Sequence, residues 1–193
     1  MDKDPRPVDV IASADIEEEA EAGEVAAVGE VRLSDGVVDL RAWRPEDAPA
    51  VFAACQDAEL VRHTYVPQPY TIEHAKGYIE LCNRALGDGS AAGFAIVDAS
   101  TDRVLGAMSR PPLDGHRASF GYWMVPSARG RGFCARALRL MADWTLETTD
   151  AIRLELYTDL DNPASGRVAE KAGFERESIR RPGISAATAN PST

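Results

Sequence analysis

The spacing of apolar residues predicts strands and helices in a definite order along most of the chain. Apolar and polar residues alternate over 37–43, which is typical of a half-buried strand. Apolar residues recur at helical spacing over 45–55, and again from the capping residue Thr71 to about Leu86. The stretch 63–70 between these predicted helices contains two prolines, so we expect an irregular link that shapes one side of a binding mouth.

The second half of the chain is predicted to be strand-rich and then to alternate strand and helix. Its predicted elements are strands over 94–97, 104–108 and about 117–125, a helix over 133–148, a strand over 152–157, a helix over 163–172 and a further strand over 174–181. Antiparallel strands followed by strand–helix units indicate an α+β fold. We expect a mixed, mostly antiparallel, twisted sheet of about six strands with helices on both faces.

Charge divides the chain into an acidic head and a nearly neutral remainder. Eleven of the 31 acidic residues lie in residues 1–35, where three basic residues accompany them. The like-charge run 15–21 has few large apolar side chains, so burial cannot offset the entropy of ordering it. We therefore predict a disordered extension over 1–35, one domain over 36–181 and an irregular tail over 182–193. An acidic helix that binds a partner is the alternative for the extension.

Composition argues against several classes of function. The chain of 193 residues has a net charge of −10, which disfavours a broad surface for nucleic acid or anionic membranes. No apolar stretch approaches the roughly 18 residues of a membrane span, and the start lacks the features of a secretory signal, so a cytoplasmic location is expected. Three widely spaced cysteines are typical of reduced thiols. The three histidines show no metal-binding spacing, so no metal site is predicted.

The most informative stretch, residues 125–134, lies where a strand is predicted to end and a helix to begin. Gly130 and Gly132 remove side chains where the backbone must bend and a ligand must approach, and they leave N–H groups at the positive end of a helix. Arg129 and Arg131 add positive charge, so we expect a phosphate or diphosphate ligand. A solvent-exposed glycine turn is the alternative interpretation.

Two other phosphate-binding patterns fit this stretch poorly. Gly130, Gly132 and Ala135 have the spacing of the dinucleotide fingerprint, but four residues separate Gly130 from the predicted strand. That fingerprint also needs an acid at a strand end about 20 residues further on, and none is well placed. No Gly-Lys-Ser/Thr follows, which excludes a Walker loop. A nucleotide-dependent oxidoreductase stays an alternative hypothesis.

Residues 129–134 resemble the R/Q-x-x-G-x-G/A motif of the GNAT acetyltransferases, with Cys134 in place of the last small residue. Three further blocks resemble, in the same order, the ribosomal-protein N-terminal (RimJ/RimL-like) branch of that superfamily: 40–47, 120–126 and 162–174. The resemblance covers roughly residues 37–181. It implies the GNAT fold and an acyltransferase that moves an acetyl group from acetyl-CoA to a primary amine of a peptide N-terminus or a small molecule.

The resemblance also implies a set of cofactor-binding residues. In the family, the strand before the motif splays from its neighbour, so the backbone of Met124 and Val125 is expected to bind the pantetheine arm and to help polarise the thioester carbonyl. The diphosphate is expected on the N–H groups of Arg129, Gly130, Arg131, Gly132, Phe133 and Cys134. Acyl transfer needs two positioned reactants and donors aimed at a developing oxyanion, and it needs no metal.

For proton transfer, the resemblance implies a candidate general acid and leaves the general base open. Many family members place a tyrosine seven residues after an asparagine, where this chain has Ala169. The ribosomal-protein branch instead resembles Asn-x-x-Ser, which Asn162 and Ser165 match. Ser165 is therefore the candidate general acid and Asn162 a candidate cofactor contact, although both also suit the cap and first turn of a helix. A glutamate common before the strand glycine is Ser119 here, so the base stays open among His63, Tyr65, Glu155, Tyr157 and a water relay.

The C-terminal end departs from the family pattern. Relatives continue into two more strands, whereas 181–193 shows little apolar alternation and contains two prolines, so the last strand is predicted to be missing or altered. An exposed sheet edge would follow, covered by a partner chain, as in a homodimer, or by the extension. A catalytically silent acyl-CoA-binding or interaction module is the alternative function.

Overall fold

Seven strands and five α-helices make up the part of the chain that the structure, a computed structural model, describes: residues 31–64, 66–159 and 161–177. The strands are β1 (Arg32–Ser34), β2 (Val38–Arg41), β3 (Ala92–Asp98), β4 (Val104–Arg110), β5 (Arg117–Ser119), β6 (Gly121–Met124) and β7 (Arg153–Glu155). The helices are α1 (Ala48–Ala54), α2 (Ala58–His63), α3 (Ile72–Gly87), α4 (Phe133–Thr148) and α5 (Pro163–Ala172). Residues 1–30 of the predicted extension and the whole predicted tail lie outside the described residues.

Five strands form one antiparallel sheet in the order β1-β2-β3-β4-β6, and β5 and β7 form a parallel pair. Successive residues of β3 face opposite sides, as the strand period requires. Phe94 and Ile96 lie in a core with α4, whereas Ala95 and Val97 lie in a second core with α1 and α3. The predicted α+β fold, with a mostly antiparallel sheet and helices on both faces, is confirmed.

Helix boundaries follow the capping residues that the sequence indicates. The Thr71 hydroxyl accepts a hydrogen bond from the His74 amide at 3.2 Å, so α3 begins as predicted. Helix α4 spans the predicted residues, with its apolar stripe against the sheet. Helix α5 ends at Gly173, whose φ of 99° is in the left-handed region that glycine tolerates best.

The single strand predicted over 117–125 is divided at Phe120 into β5 and β6. The Phe120 amide donates to the Glu155 carbonyl at 3.2 Å, which ends the pairing of β5 with β7. From Gly121 onward the chain pairs with β4 instead. Because β6 and β7 have no pairing with each other, a cleft opens between them.

Three sequence predictions need correction. Strand β1 lies inside the predicted extension, so the folded unit begins before residue 36; β1 pairs with β2, and the Arg32 guanidinium binds the buried Asp39 carboxylate. Helix α2, capped by Asp57, was not predicted at all. Residues 174–177 of the predicted strand over 174–181 form no strand, and the remainder of that prediction lies outside the described residues.

Candidate active site

The cleft between β6 and β7 has a volume of about 270 Å³ and is walled by parts of the chain that are distant in sequence. Helix α2 lies on one side and α5 on the other, and the first turn of α4 closes one end. Eight of the ten residues predicted as site residues line it: Met124, Arg129, Gly130, Gly132, Phe133, Cys134, Asn162 and Ser165. Val125 and Arg131 do not line it.

The register of β6 decides which backbone groups face the cleft. The Val125 amide donates to the Leu105 carbonyl of β4 at 2.9 Å, and the Val125 carbonyl accepts from the Ala128 amide at 2.9 Å. Both polar groups of the Val125 backbone are therefore engaged within the protein, and its role as a cofactor contact stays a prediction. In an antiparallel ladder the alternate residues point the other way, so the amide of Met124 and the backbone of Tyr122 face the cleft.

The loop before α4 presents a row of backbone N–H groups. Gly130 and Gly132 have φ values of 73° and 81°, which a residue with a side chain rarely adopts. Helix α4 has no side-chain N-cap, and its first backbone bond runs from Arg136 to the Gly132 carbonyl at 3.3 Å. Within the described residues, none of the six amides from Gly130 to Ala135 has an acceptor in the protein. These donors lie at the positive end of a helix, where an anion is stabilised.

The two arginines of the motif have different roles. The Arg129 guanidinium binds the carboxylates of Asp57 and Glu59 and donates to the Met124 carbonyl at 3.1 Å, while the Arg129 amide donates to Pro126. Arg129 thus attaches the loop to α2, and its part in binding the diphosphate stays a prediction. This contact also lowers the pKa of Asp57, since the guanidinium stabilises its carboxylate.

Arg131, in contrast, is exposed and lies over the Phe133 ring, with 4.7 Å from the guanidinium carbon to the ring centroid. It forms no ion pair with any residue in the described ranges. Its charge is therefore available to a ligand beside the loop, although its side chain lies outside the cleft wall.

Cys134 departs from the family's small residue without obstructing the loop. Its side chain lies in the core with Leu138 and Met141. Burial raises the pKa of the Cys134 thiol, which keeps it protonated and unreactive. The contribution of Cys134 to the cleft is thus its backbone amide.

The start of α5 places a hydroxyl in the cleft. The Asn162 side-chain oxygen accepts from the Ser165 amide at 3.2 Å, as a helix cap does. The Ser165 hydroxyl lies 2.8 Å from the Tyr122 hydroxyl, which also lies 3.0 Å from the Ser165 carbonyl. Burial raises the pKa of the Tyr122 phenol, so Tyr122 stays protonated.

Sequence reasoning missed Tyr122. The signal that could have found it is the period of two along the strand. That period puts Tyr122 on the face of Phe120 and Met124, toward the helix that carries Ser165.

The candidate bases are not all brought to the cleft. Hydrogen bonds from Tyr157 and Arg153 hold the pKa of Glu155 below its ordinary value, and Glu155 does not line the cleft. Tyr65 lies outside the described residues. His63 lines the cleft beside Asp159, a residue that sequence reasoning did not consider for this role.

Comparison with known proteins agrees with this geometry. The family model described as "Acetyltransferase (GNAT) domain" matches residues 38–175, and the chain belongs to that family and is an acyltransferase. The uncharacterized N-acetyltransferase p20 of Bacillus licheniformis is 24% identical over 144 residues, which are 74% of this chain and 81% of that protein. The predicted resemblance is confirmed.

Solved structures show the same fold. The ribosomal-protein-S5-alanine acetyltransferase of Vibrio fischeri has a TM-score of 0.64 at 19% identity and covers 77% of this chain and 85% of its own. The microcin C7 self-immunity acetyltransferase MccE, solved with acetyl-CoA and AMP, has a TM-score of 0.62 at 17% identity, covering 72% and 79%. In the described ranges, none of the helices has the length and apolar character that crossing a membrane requires.

Proposed function

We propose that this chain transfers an acetyl group from acetyl-CoA to a primary amine, either a peptide or protein N-terminus or a small molecule, by direct attack of the amine on the thioester. The observation that carries the proposal is the row of six amides from Gly130 to Ala135, which opens into a cleft whose other wall holds Ser165. A diphosphate fits such a row, because each N–H group can donate to a phosphate oxygen.

Positive side chains near the cleft support a donor with several phosphates. Arg167 and Lys171 lie one turn apart on α5 and line the cleft. Neither forms an ion pair with another described residue. Together with Arg131, they offer charge to the phosphates of CoA, while the amide of Met124 offers a donor to the pantetheine arm.

The leaving sulfur is the second chemical requirement. In this proposal the Tyr122 hydroxyl donates its one proton to the Ser165 hydroxyl oxygen rather than to the Ser165 carbonyl, so the Ser165 proton is directed to the thiolate. A hydrogen bond to the developing thiolate lowers the barrier to its departure. Ser165 thus acts as the acid, and Tyr122 positions it.

Two relatives favour this donor and acceptor. MccE was solved with acetyl-CoA, and the Vibrio fischeri protein is named for acetylation of an alanine of ribosomal protein S5. Both are similar to this chain in fold.

Calorimetric titration with CoA tests the donor site. The unmodified protein is expected to bind CoA, and Gly132→Asp is expected to weaken binding at least 100-fold, because the added carboxylate repels the diphosphate. Gly115→Asp is the matched control, since Gly115 also has a positive φ, of 61°, but lies in a turn away from the cleft. Absence of CoA binding to the unmodified protein would overturn the proposal.

A second assay separates transfer from binding alone. Release of free thiol from acetyl-CoA over a panel of peptide and small-molecule amines is expected for a transferase. A catalytically silent acyl-CoA-binding module would bind CoA and release no thiol with any amine.

A further inference from the structure

The cleft contains a histidine–aspartate pair, formed by His63 and Asp159. His63 is the last residue of α2, and Asp159 follows β7, so 96 residues separate them in sequence. His63 Nδ1 lies 3.6 Å from an Asp159 carboxylate oxygen, and the two side chains are only 17% and 22% exposed. Both residues line the cleft that holds Ser165.

The other proton acceptors that line this cleft are engaged in different contacts. The Glu59 carboxylate binds the Arg129 guanidinium at 2.8 Å. The Tyr157 hydroxyl donates to Glu155, and the Tyr122 hydroxyl contacts Ser165. Histidine, in addition, is the side chain that enzymes use most often as a general base.

We infer that His63 is the general base that deprotonates the acceptor amine and that Asp159 is its positioning residue. This inference rests on the proposed function. With the Nδ1 side of the imidazole toward the Asp159 carboxylate, Nε2 is the nitrogen left to accept a proton. This arrangement, a base oriented by a carboxylate, recurs in enzymes that activate nucleophiles.

Two protons leave the acceptor nitrogen during the transfer. The acceptor ammonium gives one proton to His63 Nε2, and the resulting amine attacks the thioester carbonyl carbon. The C–N bond forms, the C–S bond breaks, and the sulfur leaves with the bonding electron pair. A second proton leaves the nitrogen and is matched by protonation of the thiolate beside Ser165. His63 then returns its proton to water, so the products are the amide, CoA thiol and one proton.

Other charged groups lie close to His63, on α2 and in the segment between β7 and α5. Asp159 and Asp161 offer carboxylate oxygens that lie with a His63 nitrogen inside a 4.8 Å cluster. Arg62 donates to Asp161 at 2.9 Å and so occupies part of that cluster. A divalent cation bound by these three residues is the competing explanation, and the experiment separates it from the base.

The experiment is the pH dependence of kcat/KM for thiol release by the full chain. His63→Gln is expected to lower kcat/KM at pH 7 by about 10²–10⁴-fold, the usual contribution of a general base. The loss should shrink as the pH rises, because more of the amine is then already neutral. His116→Gln is the control, since His116 is exposed and does not line the cleft.

The variant Asp159→Asn tests whether Asp159 acts through His63 or only stabilises the fold. Removing the carboxylate leaves the imidazole without the group that orients it, so kcat should fall with KM little changed and by less than in His63→Gln, and Asp159→Glu, which keeps a carboxylate, should recover part of kcat. CoA affinity should be unchanged in His63→Gln and Asp159→Asn, which distinguishes failure of the base from failure of the donor site. An unaltered pH profile in His63→Gln, or loss of activity on adding a chelator that zinc reverses, would overturn the inference.

Discussion

The two helices that begin at the cleft differ in whether a side chain caps their first-turn amides. Helix α4 begins after Gly132, has no side-chain cap, and leaves its first amides without protein acceptors in the described part of the chain. Helix α5 begins after Asn162, whose side chain accepts from the Ser165 amide, with Pro163 at the first position. A cap typically stabilises a protein by about 0.5–2 kcal/mol. The α4 terminus lacks that stabilisation and leaves its donors open to the proposed diphosphate, whereas the α5 terminus has it and holds the hydroxyl that we propose as the general acid.

We expect the strongest loss of activity from a change at Ser165. Ser165→Ala is expected to lower kcat by about 100-fold, because the thiolate loses its hydrogen-bond donor, and to leave acetyl-CoA affinity within about twofold. Steady-state thiol release and calorimetry measure the two quantities. Ser127→Ala, at an exposed serine outside the cleft wall, is the control.

A double variant sharpens this prediction. If Tyr122 acts through Ser165, Tyr122→Phe should cost nothing further once Ser165 is alanine. Additive losses in the double variant would show that the two hydroxyls act separately.

The next effect concerns the α5 cap itself. Asn162→Ala should lower the free energy of unfolding by about 1 kcal/mol, since the Ser165 amide loses its acceptor, and should reduce kcat by displacing the Ser165 hydroxyl. Asn162→Ser keeps a capping oxygen and should retain most of both. Urea unfolding and initial rates are the measurements, and equal behaviour of the two variants would argue against the cap.

The smallest effect separates the two arginines of the α4 loop. Arg131→Gln should weaken CoA binding a few-fold at low salt, and the difference should vanish at high salt, because it arises from a screened surface charge. Arg129→Gln should weaken binding at both salt concentrations, because the loop loses its attachment to α2. Equal salt dependence in the two variants would contradict the assignment.

Arg129→Gln also has a pH signature. Arg129 lowers the pKa of Asp57 in the folded protein below its ordinary value of 3.8, so this contact stabilises the fold fully above about pH 4 and is lost as the pH falls through the lowered pKa. The variant should therefore be less stable than the unmodified protein at neutral pH, with a gap that narrows in acid. Thermal unfolding between pH 3 and 7 measures it.

Local patterns explain why the fold and the glycine loop were predictable. Helix caps and loop glycines act on neighbouring residues, so their spacing in the sequence is enough to predict their effect. This holds for the caps at Thr71 and Asn162 and for the glycines of the α4 loop. The period of two along the strands and the apolar stripes of the helices likewise predict which residues form the core.

Contacts between distant parts of the chain could not be predicted from local spacing. The Arg129 guanidinium binds Asp57, which lies 72 residues away, so the motif alone does not indicate its attachment to α2. The pairing of Val125 with Leu105 depends on the register of β6 against β4, which the strand pattern alone does not give. The Tyr122–Ser165 and His63–Asp159 contacts depend on the divergence of β6 from β7, and no local sequence pattern predicts that divergence.

An NMR titration of the amide-labelled chain with CoA and, separately, with inorganic pyrophosphate tests directly whether the α4 loop binds the diphosphate. Both ligands are predicted to shift a common set of backbone amides most strongly: Gly130, Arg131, Gly132, Phe133, Cys134 and Ala135. The capped Ser165 amide should respond less, and to CoA alone. Binding that leaves the α4 amides unshifted, or that shifts the α5 terminus first, would contradict the assignment of the α4 loop as the diphosphate site.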